Sequence, residues 1–255
     1  MVTVTATVTG RPRPDRLVRR VQPLPGTAPD PGTWPDTVPA VAQLLTRGLD
    51  LPAGVTFLVG ENGAGKSTLV EAVAQAVGVP AEGGLRRHAP GRDEPQVDAS
   101  GLGDRLQVVR GTSRFREAFF LRAETMHRFY SWLREVGSEA HSGLHELSHG
   151  ESFLDVLGAG WMRHVGLLLL DEPESALSFG NQLVLGAAFA RMAAEGRQVL
   201  CATHSPLLTA LPGARILQVD GNGLTRVDDW EDLAVVRDWR FFLDAPDRYW
   251  RRVLD

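Results

Sequence analysis

Three apolar runs dominate the pattern along the chain: Val55-Thr56-Phe57-Leu58-Val59, Gly166-Leu167-Leu168-Leu169-Leu170-Asp171, and Gln198 to Thr203. Continuous runs of strand length predict strands covered on both faces, as in a parallel sheet clad by helices. Leu106–Arg110 and Ala118–Arg122 predict two further strands. Helical periodicity covers Thr68–Val77 and Gln182–Ala194, and Val41–Leu45 predicts a short helix or turn. Between Thr125 and Leu147, Met126, Phe129, Tyr130 and Leu133 fall on one helix face, read as packing. Phe153, Val156 and Leu157 mark another helix from near Ser148. Arg215–Asp220 and Leu224–Asp228 flank Gly221-Asn222-Gly223 and predict a hairpin. Trp239, Phe242, Tyr249 and Trp250 predict one closing amphipathic helix.

The segments between these patterns are distinctive too. Alternating Val and Thr in the first ten residues suggest a frayed end or an added edge strand. Pro23, Pro25, Pro29, Pro31, Pro35 and Pro39 bar a regular helix or inner strand over 22–39, which predicts an extended loop. Gly78–Gly103 reads as a surface excursion rich in Gly, Pro and charge.

Composition narrows the class. At 255 residues the chain can bury a large core without staples. A single cysteine, Cys201, excludes an internal disulfide and fits a reducing compartment; within its apolar run it reads as a small core residue. No apolar run is long enough to span a bilayer, and no signal peptide is legible, so the expected location is cytoplasmic. The net charge of −4 argues against general nucleic-acid binding. Local arginine clusters, at Arg11 to Arg20 and at Arg110, Arg114 and Arg116, leave a protein or nucleic-acid partner open, although solvated surface is their ordinary meaning.

Lys66 is the one lysine among 27 Lys and Arg residues, and it sits in Gly60-Glu61-Asn62-Gly63-Ala64-Gly65-Lys66-Ser67. A strand, this glycine-rich loop and a helix starting near Thr68 form a phosphate cradle. Backbone N–H groups turn inward, Lys66 reaches the β- and γ-phosphates, and Ser67 can ligate Mg²⁺. A nucleotide carrying β- and γ-phosphates, with Mg²⁺, is the expected ligand. The strand ending at Leu170 delivers Asp171 and Glu172, one suited to Mg²⁺ and the other to polarising a water against the γ-phosphorus. Another buried strand ends in Ala202-Thr203-His204, where His204 can bond the γ-phosphate. Ser148, before Gly150 and Glu151, is a good N-cap and a candidate anion contact. The lack of a second lysine, which the guanine-reading Asn-Lys-x-Asp motif needs, argues against a GTPase.

The order of Gly60–Ser67, Leu147–Glu151, Leu170–Pro173, Ser175–Ser178 and His204 resembles the Walker A, signature, Walker B, D-loop and H-loop of the ABC-type ATPase superfamily. Phe120-Leu121-Arg122-Ala123-Glu124 and Pro246-Asp247-Arg248-Tyr249 are further similar to its small stand-alone bacterial members. The resemblance implies an α/β P-loop NTPase with a mostly parallel central sheet, an inserted helical sub-lobe and a C-terminal hairpin plus helix. The expected core lobe covers 15–122 and 162–235, the sub-lobe 123–161 and the last helix 236–255.

By the same resemblance, two copies sandwich each ATP, with Ser148 and Gly150 of one facing Lys66, Ser67 and Thr68 of the other. Glu124 stands nearest the place of the transporters' glutamine loop, a candidate metal ligand. Trp34 falls where an adenine-stacking aromatic would lie, or else anchors the loop. His149 departs from the usual signature glycine. The glutamine loop is not evident, which counts against a transporter subunit; a repair- or defence-associated ATPase is the other alternative, with Arg110, Arg114 and Arg116 as its candidate contact patch.

Overall fold

The computed structural model describes residues 16–81, 83–85, 100–122, 157 and 160–254. The strands among them are β1 (Val18–Pro23), β2 (Leu49–Asp50), β3 (Gly54–Val59), β4 (Gly84–Leu85) and β5 (Leu106–Arg110). They continue with β6 (Glu117–Arg122), β7 (Val165–Asp171), β8 (Gln198–Thr203), β9 (Arg215–Asp220) and β10 (Gly223–Val227). The helices are α1 (Pro39–Arg47), α2 (Lys66–Val77), α3 (Phe179–Ala194), the short α4 (Pro206–Thr209), α5 (Ala234–Asp244) and α6 (Pro246–Leu254).

Seven strands form the central sheet in the order β10-β9-β3-β8-β7-β6-β4. β9, β3, β8, β7 and β6 run parallel; β10 and β4 close the edges antiparallel. The predicted α/β class and terminal hairpin are both present.

Alternation along each inner strand explains why the apolar runs are unbroken. Leu167 and Leu169 of β7, Ala118 and Phe120 of β6, and Leu200 and Ala202 of β8 face one core. That core also holds Leu69, Val70 and Val73 of α2 and Val41 and Leu44 of α1. Leu168 and Leu170, Phe119 and Leu121, and Val199 and Cys201 face the other, against Leu185 and Phe189 of α3. A pleat buried on both sides leaves no place for a charged residue until the strand ends. Chemistry therefore collects at the C-terminal ends, where Asp171 and His204 follow directly.

The sequence reading missed a second, three-stranded antiparallel sheet, β2-β1-β5. Arg19 and Arg20, read as part of a surface cluster, lie within β1, whose Val18 and Val21 are fully buried. A register shift between Val18 and Arg20 breaks the alternation that would have marked the strand. Gln198 at the start of β8 ties the two sheets together. Its Nε2 donates to the carbonyls of Val18 (2.7 Å) and Leu51 (3.0 Å), and its Oε1 accepts from Val18 N (3.0 Å). Every polar atom of this buried amide is thereby satisfied.

The chain end also differs from expectation. Two helices, not one, follow the hairpin, because Pro246 cannot extend α5 and Ala245 departs from helical geometry (φ −151°, ψ 65°). No helix among the described residues is long and apolar enough to cross a membrane.

Candidate functional site

Backbone geometry builds the phosphate loop. Gly65 caps α2 in the left-handed region (φ +98°), and a Cβ there would meet Val38 Cγ1 at 2.6 Å. A Cβ at Gly60 would fall 2.0 Å from the Val219 carbonyl oxygen. Both positions therefore require glycine. The loop ends at the N-terminus of α2, where unpaired N–H groups and the helix dipole favour an anion.

Beside the loop is a cavity of about 580 Å³, bordered by Trp34, Lys66, Ser67, Arg122, Asp171 and Glu172, with Asn62, Gly63, Gly65 and Thr68 completing the loop side. Lys66 is 3% exposed; its Nζ donates to the Glu61 carbonyl at 3.0 Å and lies 3.8 Å from Glu172 Oε1. Burial lowers its pKa, and the carboxylates of Glu172, Asp171 and Glu174 oppose that shift. Ser67 Oγ donates to Asp171 Oδ1 at 2.9 Å. Burial raises the Asp171 pKa, against the Ser67 hydrogen bond and the Arg122 charge.

Among the described residues no group of three or more His, Cys, Asp or Glu could hold a metal alone. The paired hydroxyl and carboxylate suit Mg²⁺, a hard cation that takes few protein ligands and completes its shell with phosphate and water.

Glu172 has a left-handed backbone (φ +49°), the one positive φ among described residues other than glycine. Such an outlier costs energy and persists where the surroundings dictate it. Its Oε1 is 3.0 Å from His204 Nε2. Glu172 thus links Lys66 and His204 in one chain of contacts.

Two neighbours of this chain were not anticipated. Glu174 Oε1 accepts the backbone N–H of His204, while its Oε2 is buried and has no partner among the described residues. Burial raises its pKa, opposed by that N–H and by the Thr203 side chain. Arg122, at the end of β6, donates from Nε to Asp171 Oδ2 and from Nη2 to Glu71 Oε2, both at 3.2 Å. β6 and β7 pair in register with Arg122 opposite Asp171, which delivers the guanidinium to the cavity wall.

Of the residues expected at the site, Gly60, Glu61, Ala64 and His204 line a second cavity behind the loop, which Asn62 and Gly63 share. Trp34 is 65% exposed, so it does not anchor its loop by burial. Asp36 does that work. Both its oxygens accept from Arg105 (2.7 and 2.8 Å), and Oδ2 also accepts from Asp30 N at 2.7 Å. The Arg105 hydrogen bonds hold the Asp36 carboxyl below its usual range. Glu124, Ser148, His149, Gly150 and most of the expected sub-lobe lie outside the described residues. In the proposed basic patch, Arg114 is already engaged with the Glu195 carbonyl (3.2 Å) and the Phe115 ring (4.8 Å).

Known proteins resemble this chain in sequence and in fold. A family model described as ABC transporter matches residues 48–175. The hemin import ATP-binding protein HmuV of Rhodopseudomonas palustris is 32% identical over 207 residues, covering 73% of this chain and 77% of that protein. The aliphatic sulfonates import ATP-binding protein SsuB 3 of Nocardia farcinica is 32% identical over 202 residues, covering 76% of each. The solved structure of cbiO1 from Clostridium perfringens, part of the ABC transporter complex cbiONQ, shares the fold. Its TM-score is 0.50 at 16% identity, over 91% of this chain and 97% of that one. The chain belongs to the ABC transporter family of ATP-binding proteins, and it is an ATPase.

Proposed function

We propose that ATP binds in the 580 Å³ cavity and that its β–γ phosphoanhydride is hydrolysed in a Mg²⁺-dependent reaction completed by a second copy of the chain. The observation that carries this reading is the position of Glu172, 3.0 Å from His204 Nε2 and 3.8 Å from Lys66 Nζ, next to the Ser67–Asp171 pair. Lys66 and the loop N–H groups hold the β- and γ-phosphates. Glu172 accepts the proton of the attacking water, and His204 orients Glu172 and reaches the γ-phosphate. Ser67 and Asp171 offer the oxygen donors for Mg²⁺, which when bound neutralises phosphate charge. Arg122 balances Asp171 and Glu71 and fixes the Asp171 carboxylate. Trp34, exposed at the cavity rim, stacks on the base. From the second copy, Ser148 and Gly150 cover the phosphates; Glu124 is the remaining expected metal ligand.

Glu172→Gln tests the reading, because the change keeps shape but removes the proton acceptor. Hydrolysis should fall by about 10²–10⁴-fold while ATP still binds. Light scattering should then find an ATP-bound dimer with Mg-ATP and a monomer with Mg-ADP, by mass action on the closed state. Adding Ser148→Arg should restore the monomer. Normal hydrolysis by Glu172→Gln would remove the base assignment; tight ATP binding without dimers at any concentration would remove the sandwich.

A second reading has a specific observation behind it. The two import ATP-binding relatives favour the ATP-binding subunit of a membrane importer over a stand-alone ATPase. Co-purification of a membrane protein with tagged Glu172→Gln would decide for that reading.

A further inference from the structure

The larger cavity, about 1010 Å³, lies behind the phosphate loop and not over it. One wall is the outer side of Val59–Ala64, His204 and the β9–β10 turn; the other is formed by α5 and Tyr249 of α6. Phe242 stands edge-on to Trp239 (6.4 Å) and Tyr249 (6.0 Å), so three rings cluster on that wall. Trp239 remains 51% exposed.

The charges lining the cavity have one sign. Glu61, Asp220 and Asp238 border it, and among the described residues no Arg or Lys does. Hydrogen bonds from Gln218 and Asn222 hold the Asp220 carboxyl below its usual range, so it is charged at neutral pH. Neither Glu61 nor Asp238 has an ion-pair partner among the described residues. Aromatic faces attract cations through their quadrupole, and carboxylates between low-dielectric walls reinforce that field. The volume is that of a small-molecule site.

We propose that this cavity binds an organic cation with an apolar, ring-bearing body, such as an aryl amidinium or ammonium. Asp238 pairs with the cationic head, and Trp239 and Phe242 cover the body. The site is distinct from the nucleotide cavity and meets it at Val38, Asn62 and Gly63.

Three matched probes test this by calorimetric titration of the full chain: 2-naphthamidinium, neutral 2-naphthamide and anionic 2-naphthoate. The amidinium should bind one to one, about tenfold or more tighter than the amide, and the naphthoate should not bind. Asp238→Asn should bring the amidinium down to the amide's affinity, and Trp239→Ala should weaken both. Each of these side chains is exposed on α5, so both variants should fold, as circular dichroism would verify. Lys66→Ala should leave the amidinium affinity unchanged, which separates this site from the nucleotide site whatever happens to ATP binding. Equal affinity for amidinium and naphthoate would overturn the proposal. So would an amidinium affinity unmoved by Asp238→Asn, or lost in Lys66→Ala.

Discussion

Arg122→Gln gives the most direct test of how the site is held together. Arg122 faces two carboxylates, Asp171 and Glu71, whose side chains are only 7% and 11% exposed. Removing one partner of a fully buried ion pair costs about 3–5 kcal/mol, because a charge is left uncompensated. Arg122 itself is 23% exposed, so water screens part of that penalty and about 2 kcal/mol is expected. For a domain of this size that lowers Tm by about 4–8 °C. The deficit should depend on pH in a defined direction. Burial raises both carboxyl pKa values while Arg122 opposes the rise, so the variant raises them further. A carboxyl with a raised folded pKa binds protons that the unfolded chain releases. Its contribution to stability therefore falls as pH climbs from the unfolded value through the folded one. The deficit should be full at neutral pH and shrink as pH drops toward the ordinary carboxylate range. Mg²⁺ without nucleotide should also reduce it, by replacing a positive charge at Asp171. Differential scanning calorimetry across pH, with and without Mg²⁺, measures all three effects. A variant that melts with the wild type at neutral pH would refute the reasoning, as would a deficit indifferent to both pH and Mg²⁺.

Three further outcomes are expected. Lys66→Ala should weaken ATP binding by about 10–100-fold, the worth of a charge-assisted hydrogen-bond set, with unchanged circular dichroism; nucleotide titration checks it. His204→Ala should lower kcat and kcat/KM together more than it weakens ATP binding, since the contact to Glu172 serves the reacting water; steady-state kinetics would return His204 to a structural role if kcat stayed at wild type. Glu174→Gln should remove a pH slope: burial raises the Glu174 pKa, so its contribution to stability is greatest below about pH 4.5 and declines as pH rises through the folded value. Urea unfolding from acidic to alkaline pH should therefore find the wild type losing stability relative to Glu174→Gln as pH rises, and parallel curves would count against a buried ionising Glu174.

What could be read from the chain follows from burial on both faces. β3, β7 and β8 announce themselves because no charged residue interrupts them, and the acid pair and His204 stand where β7 and β8 stop. The hairpin is legible because Gly221-Asn222-Gly223 has turn chemistry. The two-helix end reads as a single helix, because the aromatic spacing of Trp239, Phe242, Tyr249 and Trp250 carries the amphipathic pattern across Pro246, where the helix in fact breaks.

What escaped depends on which strands lie side by side. β1 pairs with β5, more than eighty residues later, over a register shift, and its two arginines looked like ordinary solvated charge. Arg122 resembled any basic residue ending a strand until β6 lay parallel to β7 and set it opposite Asp171. Glu174 drew no notice beside Asp171 and Glu172, yet it fixes the backbone of His204, thirty residues on. A linear motif names groups that touch phosphate, because their spacing is local to one loop or one strand end. It cannot name the groups that hold those in place, because these arrive from neighbouring strands. Arg122 and Glu174 are the two positions where that distinction can be measured here. Each should change stability and its pH dependence in protein without nucleotide, a readout that Glu172→Gln, with its half-exposed carboxylate, should leave almost untouched.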